Sequence, residues 1–406
     1  MEFPIPAGCR AVMERLASFG YPAYLVGGCV RDLCRGVAPN DYDLTTPATP
    51  DEMKRVFDGF RVIQTGIAHG TLTVLSDGRP YEITTYRVDG SYSDGRHPDG
   101  VSFTSSLEED LLRRDFTVNA MAYAPDAGLI DLFGGQADLA ARLIRAVGDP
   151  DRRFTEDSLR ILRALRFAST LGFSIEEKTA RALLRLAPTV RRVSPERIRE
   201  ELFKLLSGSA SETVLIAYRD ALFAAVPFLA KIGDEWTRAA RAAAKLSSDP
   251  TLSLAALARS LGEGETAALF RALRTDRKSE RRAAAAVAAY RAGLPSDCAA
   301  AGLFLVDFGD AAYDAVSLAE AYGDPAAAPA KDALDAFRAT GRPTTLSALA
   351  VRGDDLLSVG IPSGPVRGEI LARLLRLAAT GTVENEREAL LSRAARREAE
   401  KRDQNG

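Results

Sequence analysis

The strand-forming segments of this chain all lie before about residue 143. There, short runs rich in β-branched and aromatic residues alternate with Gly, Asp and Pro, as in AYLVGG, DYDLTT, FRVI, GTLTVL and YEITTYRV. Such runs are typical of strands separated by turns. From about Asp151 onward Ala, Leu, Arg and Glu recur at helical spacing, with breaks at Pro188, Pro250, Pro295 and Pro325. This switch predicts an α/β head with a mixed sheet, followed by all-α segments.

Length and composition limit the class of protein. A chain of 406 residues exceeds one ordinary hydrophobic core, so several domains are expected. The hydrophobic share of 46% and the charged share of 27% are those of a globular protein. No run reaches the ~20 apolar residues that cross a bilayer, and the N-terminus lacks a basic region followed by an apolar one. These features predict a cytoplasmic protein without a membrane partner.

Two further counts bear on the kind of site. The four cysteines show no CxxC spacing and there are only two histidines, which argues against a zinc enzyme. Averaged over the whole chain, the net charge of -2 and the pI of about 6.0 argue against nucleic-acid binding. However, arginine clusters at residues 152–199 and 271–282, so local basic faces remain possible.

The first motif with chemical content is YLVGGCVRDL, residues 24–33, followed by NDYDL at 40–44. Glycines allow close approach of a phosphate, a helix N-terminus favours negative charge, and Arg31 adds a cation, so this turn is a candidate triphosphate cradle. Asp41 and Asp43 are two residues apart on an extended segment, and their carboxylates therefore project from the same face. Hard oxygen ligands beside phosphates suit Mg²⁺. For the glycine turn taken alone, the alternative is a plain turn. For the aspartate pair taken alone, the alternative is a solvated DxD segment.

A third acid lies in YEITTYRV. Alternation along this predicted strand places Glu82 on the same face as Thr84 and Tyr86, from which it could approach the metal ions. A surface glutamate on an edge strand is the alternative.

The segment EDSLRILR, residues 156–163, predicts a helix. Thr155 is a candidate N-cap, and Glu156 and Asp157 would then occupy the first turn, where acids suit the helix dipole. Leu159, Leu162 and Leu165 would face a core. The same helix would carry Glu156, Arg160 and Arg163 on one side, with Asp157 next to Arg160. A salt-bridged surface helix is the alternative.

Taken together, these segments resemble a known family, the class II tRNA nucleotidyltransferases and bacterial poly(A) polymerases of the polymerase-β-like superfamily. The resemblance rests on GGCVRD with DYD, and on TGIAHGTLTV, YEITTYR, YSDGRHPDGVSF, DLLRRDFTVNAMAY and DLFGG in the head. It continues in FTEDSLRILRALRFAS and SPERIREELFKLL, and GDDLLSVGIPSGPVRGEIL resembles a tail segment of bacterial CCA-adding enzymes.

The resemblance implies an α/β nucleotidyltransferase head at residues 1–143. It also implies a helical neck for base recognition at 144–208, a helical body at 209–330 and a tRNA-binding helical tail at 331–406. The implied activity is template-independent addition of CCA to the 3′ end of tRNA from CTP and ATP, with release of pyrophosphate. The implied cofactor is Mg²⁺, and no stable protein partner is inferred.

The resemblance also assigns roles to residues. Asp41 and Asp43 bind the metal ions, and Glu82 remains a catalytic candidate from its strand position alone. The nucleotide-binding candidates are Gly27, Gly28, Arg31, Arg113, Arg114, Asp115, Asn119, Glu156, Asp157, Arg160 and Arg163. In the loop at residues 90–103, Asp94, Arg96 and Asp99 are expected to assist the change from C to A addition. The basic segment at residues 181–204 is the candidate for contact with the tRNA acceptor.

Base selection has a physical explanation within this assignment. Cytosine and adenine both offer an exocyclic amine beside a ring-nitrogen acceptor, so Asp157 can accept from the amine while Arg160 donates to the acceptors. Uracil and guanine would leave unpaired polar groups there, at roughly 1–3 kcal/mol each.

Two alternatives remain open. The head motifs are shared with adenylyl-only relatives, either A-adding tRNA nucleotidyltransferases or poly(A) polymerases. A catalytically silent RNA-binding protein on the same fold is the other alternative, and the presence of Asp41 and Asp43 argues against it.

Overall fold

The computed structural model describes residues 2–64, 66–67, 70–89 and 101–404. The chain divides into two compact units, Met1–Pro227 and Phe228–Gly406. The first contains a sheet and the helices that follow it, whereas the second is helical. The predicted borders after residues 143, 208 and 330 stay predictions.

The described residues form eleven strands. They are β1 Tyr24–Val26, β2 Leu44–Thr46, β3 Val62–Ile63, β4 Thr71–Ser76, β5 Arg79–Thr85, β6 Arg87–Asp89, β7 Val101–Phe103, β8 Met121–Ala124, β9 Gly128–Asp131, β10 Leu143–Ile144 and β11 Ser174–Ile175. Seven of them build the main sheet in the order β3-β4-β5-β2-β1-β8-β9. Strand β2 runs parallel to β5, and the other neighbours in this sheet are antiparallel. The mixed sheet of the head is therefore confirmed.

Two short strand pairs lie outside this sheet. Strands β6 and β7 pair antiparallel, and β10 and β11 pair parallel. Strand β11 and the last residue of β10 fall within the predicted helical neck, so the neck contains this short strand pairing besides its helices.

The helices of the first unit follow from their sequence signals. They are α1 Ala7–Ser18, α2 Gly28–Cys34, α3 Pro50–Val56, α4 Leu107–Leu112, α5 Gly135–Ala140, α6 Pro150–Glu156, α7 Leu159–Leu171, α8 Glu177–Leu186, α9 Pro195–Leu206, α10 Ser211–Ala217 and α11 Arg219–Ala225. Helix α3 begins at a Thr49 and Glu52 capping box with Pro50 at its first position. Helix α7 ends at Gly172, whose φ of 66° is the left-handed conformation that glycine adopts most easily.

One face of the main sheet packs against helices α1, α2 and α3, and the other carries polar side chains beside a smaller apolar cluster that includes Leu111 of α4. Leu25, Leu44 and Ile83 lie in register on neighbouring strands, and all three are buried with the apolar sides of α1, α2 and α3. Side chains alternate along a strand, so the residues next to these point to the opposite face. Asp43 and Glu82 are among them, which places the predicted metal-binding acids on the face away from this core.

The second unit is built from helices α12 Trp236–Lys245, α13 Pro250–Ala258, α14 Gly262–Ala272, α15 Arg277–Ala292, α16 Cys298–Phe308, α17 Ala311–Tyr322, α18 Ala327–Ala339, α19 Pro365–Thr380 and α20 Arg387–Gln404. Helices α13, α15 and α16 begin at Asp249, Asp276 and Asp297, whose side chains accept backbone N–H bonds. Three alanines of α15, Ala283, Ala286 and Ala289, are buried, where their small side chains let helices approach closely. In the described part of the chain, no helix is long and apolar enough to cross a membrane.

Candidate active site

A cleft of about 540 Å³ in the first unit gathers most of the predicted site residues. Its lining comprises Gly27, Gly28, Arg31, Asp41, Asp43, Arg113, Arg114, Asp115, Asn119, Asp157, Arg160, Arg163, Arg166, Phe167 and Arg197. Seven arginines against four aspartates give the lining an excess of positive charge. Such a surface suits a polyanionic ligand.

The turn between β1 and α2 forms one wall. Gly27 has a φ of 78°, and a Cβ atom there would lie 3.3 Å from Nη1 of Arg114, so the turn favours glycine for both reasons. From the following helix, Arg31 donates to Oδ1 of Asn119 at 2.8 Å and pairs with Asp32 at 3.0 Å. The guanidinium of Arg31 is thereby fixed at the cleft.

Asp41 and Asp43 reach the cleft from the segment just before β2, which begins at Leu44. The carbonyl of Asp43 accepts the N–H of Val26 at 3.0 Å, so this segment continues beside β1. Burial, and then the carboxylates of Asp41 and Glu82, raise the pKa of Asp43 to about 6, against the lowering influence of Arg114. Within a cleft that is positive as a whole, these three carboxylates create a local negative potential at Asp43 that fits a cation. Divalent metal use at this place is what the resemblance to the nucleotidyltransferases implies.

Glu82 lies on β5, next to the position of Asp43 on the adjacent strand. It acts on Asp43 electrostatically, but its side chain is exposed and does not line the cleft. Among the described residues, no three His, Cys, Asp or Glu side chains already converge on one metal position. The catalytic role of Glu82 stays a prediction.

Arg113 and Arg114 are held by a buried carboxylate that the sequence did not single out. Asp110 accepts from Arg113 at 2.7 and 3.0 Å and from Arg114 at 3.2 Å. Its second oxygen also accepts the hydroxyl of Thr45 at 3.2 Å. Burial favours the neutral acid, yet Arg114 and Arg113 hold the pKa of Asp110 below its usual value. The two arginines therefore reach the cleft as a fixed pair.

A chain of polar contacts continues from Arg31 into α7. Asn119 donates to Oδ1 of Asp115 at 3.2 Å, and Oδ2 of Asp115 accepts from Arg163 at 2.8 and 2.6 Å. Burial opposes ionisation of Asp115, but Arg163 and Asn119 lower its pKa to about 2. Asn119, a predicted nucleotide-binding residue, therefore links Arg31 of α2 to this carboxylate.

The predicted helix start at Thr155 is wrong. Thr155 and Glu156 end α6, and Asp157 interrupts the helix with φ of -138° and ψ of 103° before α7 begins. The side chain of Asp157 accepts the backbone N–H of Leu159 at 3.0 Å, which favours a break over a continuous helix. Glu156 and Arg160 thus belong to different helices. The buried leucines 159, 162 and 165 face the core, as predicted.

Glu156 does not line the cleft, and three arginines surround its carboxylate. Arg152 and Arg153 donate to one oxygen at 3.0 and 2.8 Å, and Arg160 donates to the other at 2.9 Å. Arg160 also donates to the carbonyl oxygens of Arg153 and Arg113. These bonds fix the guanidinium of Arg160 at the cleft beside Asp157, whose other contact is Arg197 at 3.3 Å.

Sequence reasoning missed three residues that line the cleft, Arg166, Phe167 and Arg197. Arg166 lies three residues after Arg163, so helical periodicity alone could have placed it on the same side of α7. Arg197 lies on α9, within the basic segment predicted to contact tRNA. Its place in the cleft depends on tertiary packing. Asp94, Arg96 and Asp99 lie outside the described residues.

With this geometry established, comparison with known proteins identifies the family. The chain is 36% identical over 405 residues to the CCA-adding enzyme of Limosilactobacillus fermentum, covering 95% of each chain. It is 40% identical over 388 residues to the CCA-adding enzyme of Geobacillus thermodenitrificans, covering 93% of this chain and 94% of the relative. The chain belongs to the CCA-adding enzyme family.

Family models and solved structures agree with this membership. Residues 23–145 match the poly A polymerase head domain, 172–232 match a "Probable RNA and SrmB-binding site of polymerase A", and 247–394 match tRNA nucleotidyltransferase domain 2. The crystal structure of the Bacillus stearothermophilus CCA-adding enzyme in complex with CTP superposes with a TM-score of 0.81 at 32% identity, covering 98% of both chains. A Thermotoga maritima CCA-adding enzyme complexed with tRNA shares the fold at 22% identity, with a TM-score of 0.68 and coverage of 95% and 93%.

Proposed function

We propose that this protein adds C, C and A in turn to the 3′ end of tRNA, using CTP and ATP and releasing pyrophosphate. The observation that carries the proposal is a cleft that brings two aspartates, next to the start of the central strand β2, together with seven arginines. Full-length relatives named CCA-adding enzymes support the choice of substrate.

In each step the 3′ hydroxyl oxygen of tRNA bonds to the α-phosphorus of the triphosphate. The bond from the α-phosphorus to the bridging oxygen breaks, pyrophosphate leaves with that oxygen, and the hydroxyl proton is lost to solvent. Asp41 and Asp43 would hold Mg²⁺, which supplies activation of the hydroxyl and stabilisation of the leaving group. Glu82 reinforces the negative potential at Asp43 from the neighbouring strand.

The arginines position the nucleotide. The β1–α2 turn, with Gly27, Gly28 and Arg31, faces the triphosphate, because its glycine backbone permits close approach. Arg113 and Arg114, fixed by Asp110, lie on the same cleft and add charge for the phosphates. Phosphoryl-type transfer depends chiefly on such positioning and charge.

Base selection is assigned to the interrupted segment between α6 and α7. Asp157 accepts from the exocyclic amine of cytosine or adenine, and Arg160 donates to the ring-nitrogen acceptor. The guanidinium of Arg160 donates hydrogen bonds to the backbone carbonyl oxygens of Arg153 and Arg113, which keep it in one orientation. Its remaining N–H donors therefore point in a fixed direction. A rigid donor discriminates between bases better than a mobile one, because a mismatched base cannot be accommodated by rotation.

The RNA-facing assignments extend the same proposal. The basic segment at residues 181–204 contacts the acceptor end, since arginine and lysine neutralise phosphates irrespective of sequence. The tail at residues 331–406 binds the remainder of the tRNA. The loop residues Asp94, Arg96 and Asp99 assist the change from C to A addition. The place of action is the cytoplasm.

The test is incubation of the protein and Mg²⁺ with tRNAs ending at the discriminator base, at C and at CC, with CTP and ATP supplied singly and together. Completion of all three to CCA, followed by termination, supports the proposal. Activity confined to ATP would replace it by A addition or poly(A) synthesis. Tight tRNA binding without incorporation would indicate a silent RNA-binding protein.

A further inference from the structure

Glu201 is a buried carboxylate that the proposed chemistry does not use. It lies on α9, and its side chain faces α7, where it meets two arginines of the cleft. Its Oε2 is 2.9 Å from Nε of Arg166, and its Oε1 is 3.9 Å from Nη1 of Arg163. The contact with Arg166 is close but lacks hydrogen-bond geometry. Within the described part of the protein, Nε of Arg166 and Oε2 of Glu201 are therefore without a hydrogen-bond partner. The pair is therefore held by charge rather than by a directed bond.

Arg163 is shared between two carboxylates. Asp115 accepts two of its N–H bonds, whereas Glu201 is in longer-range contact with its third nitrogen. Arg166 depends on Glu201 more heavily. Burial lowers the pKa of Arg166, and the nearby charge of Glu201 opposes that shift.

Three guanidinium groups surround one aromatic ring at this place. Arg166, Arg31 and Arg163 lie 4.0, 5.4 and 5.5 Å from the centre of the Phe167 ring. All three arginines line the cleft, whereas Glu201 does not. The carboxylate thus stands behind the arginines, on the side away from an entering ligand.

We propose that Glu201 is a built-in counter-charge that competes with phosphate for Arg163 and Arg166, and so limits how tightly the cleft holds pyrophosphate. The inference rests on the proposed function, because it assigns the phosphates of the nucleotide to this cleft. It adds Arg166 as a phosphate-contacting residue and Glu201 as a positioning residue.

The physical basis is competition between two anions for the same cations. In the free protein Glu201 partly neutralises the arginines. A bound pyrophosphate must therefore share them with a carboxylate that is already in contact. Removal of that carboxylate leaves the free protein with buried, poorly compensated cations, which is unfavourable. In the complex, the bound pyrophosphate compensates these cations, so the loss of stability is smaller. The affinity for pyrophosphate therefore rises when Glu201 is neutralised.

The test compares Glu201→Gln with Glu200→Gln, a neighbour on the same helix whose side chain is 61% exposed and 4.0 Å from Arg199. Glu201→Asp, which keeps the charge, is the second variant. The probe is inorganic pyrophosphate in metal-free buffer, with the dissociation constant measured by calorimetry on the full chain. Glu201→Gln is expected to lower this constant on the order of tenfold, the change that corresponds to about 1.4 kcal/mol. Glu200→Gln and Glu201→Asp are expected to stay within about twofold of wild type.

The outcomes separate the inference from the proposed function. Equal pyrophosphate affinity in Glu201→Gln and Glu200→Gln, or weaker binding in Glu201→Gln, would overturn the counter-charge role while leaving the nucleotide site intact. A purely structural role for Glu201 predicts such weaker binding, because loosened arginines would hold the ligand less well. Failure of the wild-type protein to bind pyrophosphate at all would instead contradict the triphosphate site itself.

Discussion

Replacement of Asp110 by Asn should destabilise the first unit by about 3 kcal/mol. Asp110 is fully buried and accepts bonds from Arg113, Arg114 and Thr45, and a further one at 3.4 Å from the backbone of Arg87. Removing one partner of a buried ion pair costs about 3–5 kcal/mol, because the other charge is left uncompensated. The lower end of that range applies, since the side chains of Arg113 and Arg114 are 16% and 19% exposed and keep some hydration.

The assay must report on the correct unit. The single tryptophan, Trp236, belongs to the second unit, so its fluorescence does not follow unfolding around Asp110. Hydrogen exchange measured by mass spectrometry on peptides of β5 and β8 gives the free energy of opening in the first unit. Asp51→Asn is the matched control, because Asp51 is 86% exposed and its ion pair with Lys54 contributes little.

The pH dependence supplies a second check on the same variant. The arginines hold the pKa of Asp110 below its usual value, so its contribution to stability is complete above the unfolded pKa of about 3.9. It is lost as the pH falls through the lower pKa of the folded state. The difference between wild type and Asp110→Asn should therefore shrink below about pH 4. A loss of less than about 1 kcal/mol at pH 7 would refute the reasoning.

Two further substitutions test the cleft itself. Arg160→Ala should reduce discrimination of CTP and ATP against UTP and GTP by about tenfold. Arg152→Ala, which removes an exposed partner of the same Glu156, should leave this discrimination unchanged. Equal selectivity of both variants with all four triphosphates would contradict the base-reading role. Gly27→Ala should cost about 1–3 kcal/mol of backbone strain and raise the KM for nucleotides, because its Cβ would meet Arg114. Gly20→Ala also places a Cβ at a positive φ, 85°, but with no atom within 4 Å, and should leave the KM unchanged. A raised KM in both variants would show that backbone strain alone is responsible.

Much of the head was predictable because its strands alternate or carry β-branched residues. The five predicted strand segments overlap β1 to β6. Strand β8, with the sequence MAYA, was not anticipated. All four of its residues are buried, so it shows no alternation of polar and apolar positions, and alanine has no preference for strands.

The candidate site was predictable where its residues are close in sequence. The turn at Gly27 and the acids at 41 and 43 were found from spacing, and the structure brings both to one cleft. Asp110 and Glu201 were not found, because their importance depends on burial and on partners supplied by tertiary packing. The sequence alone indicates neither the burial of a carboxylate nor the partners that it has in the folded protein.

The helix boundary at Asp157 illustrates a different limit. The pattern of leucines after this residue predicted the buried side of α7 correctly. Glu156 and Asp157 suit the first turn of a helix, and the same residues equally suit the end of one helix and the cap of the next. Only the structure distinguishes these arrangements.

The most direct test of the central claim is nucleotide incorporation by Asp43→Asn, compared with wild type and with Asp51→Asn, using a tRNA that ends at the discriminator base. The account predicts that Asp43→Asn loses incorporation of both CMP and AMP while its dissociation constant for tRNA stays within about threefold of wild type. Asp51→Asn should complete CCA normally. Incorporation by Asp43→Asn at a rate close to that of wild type would contradict the assignment of the reaction to this cleft.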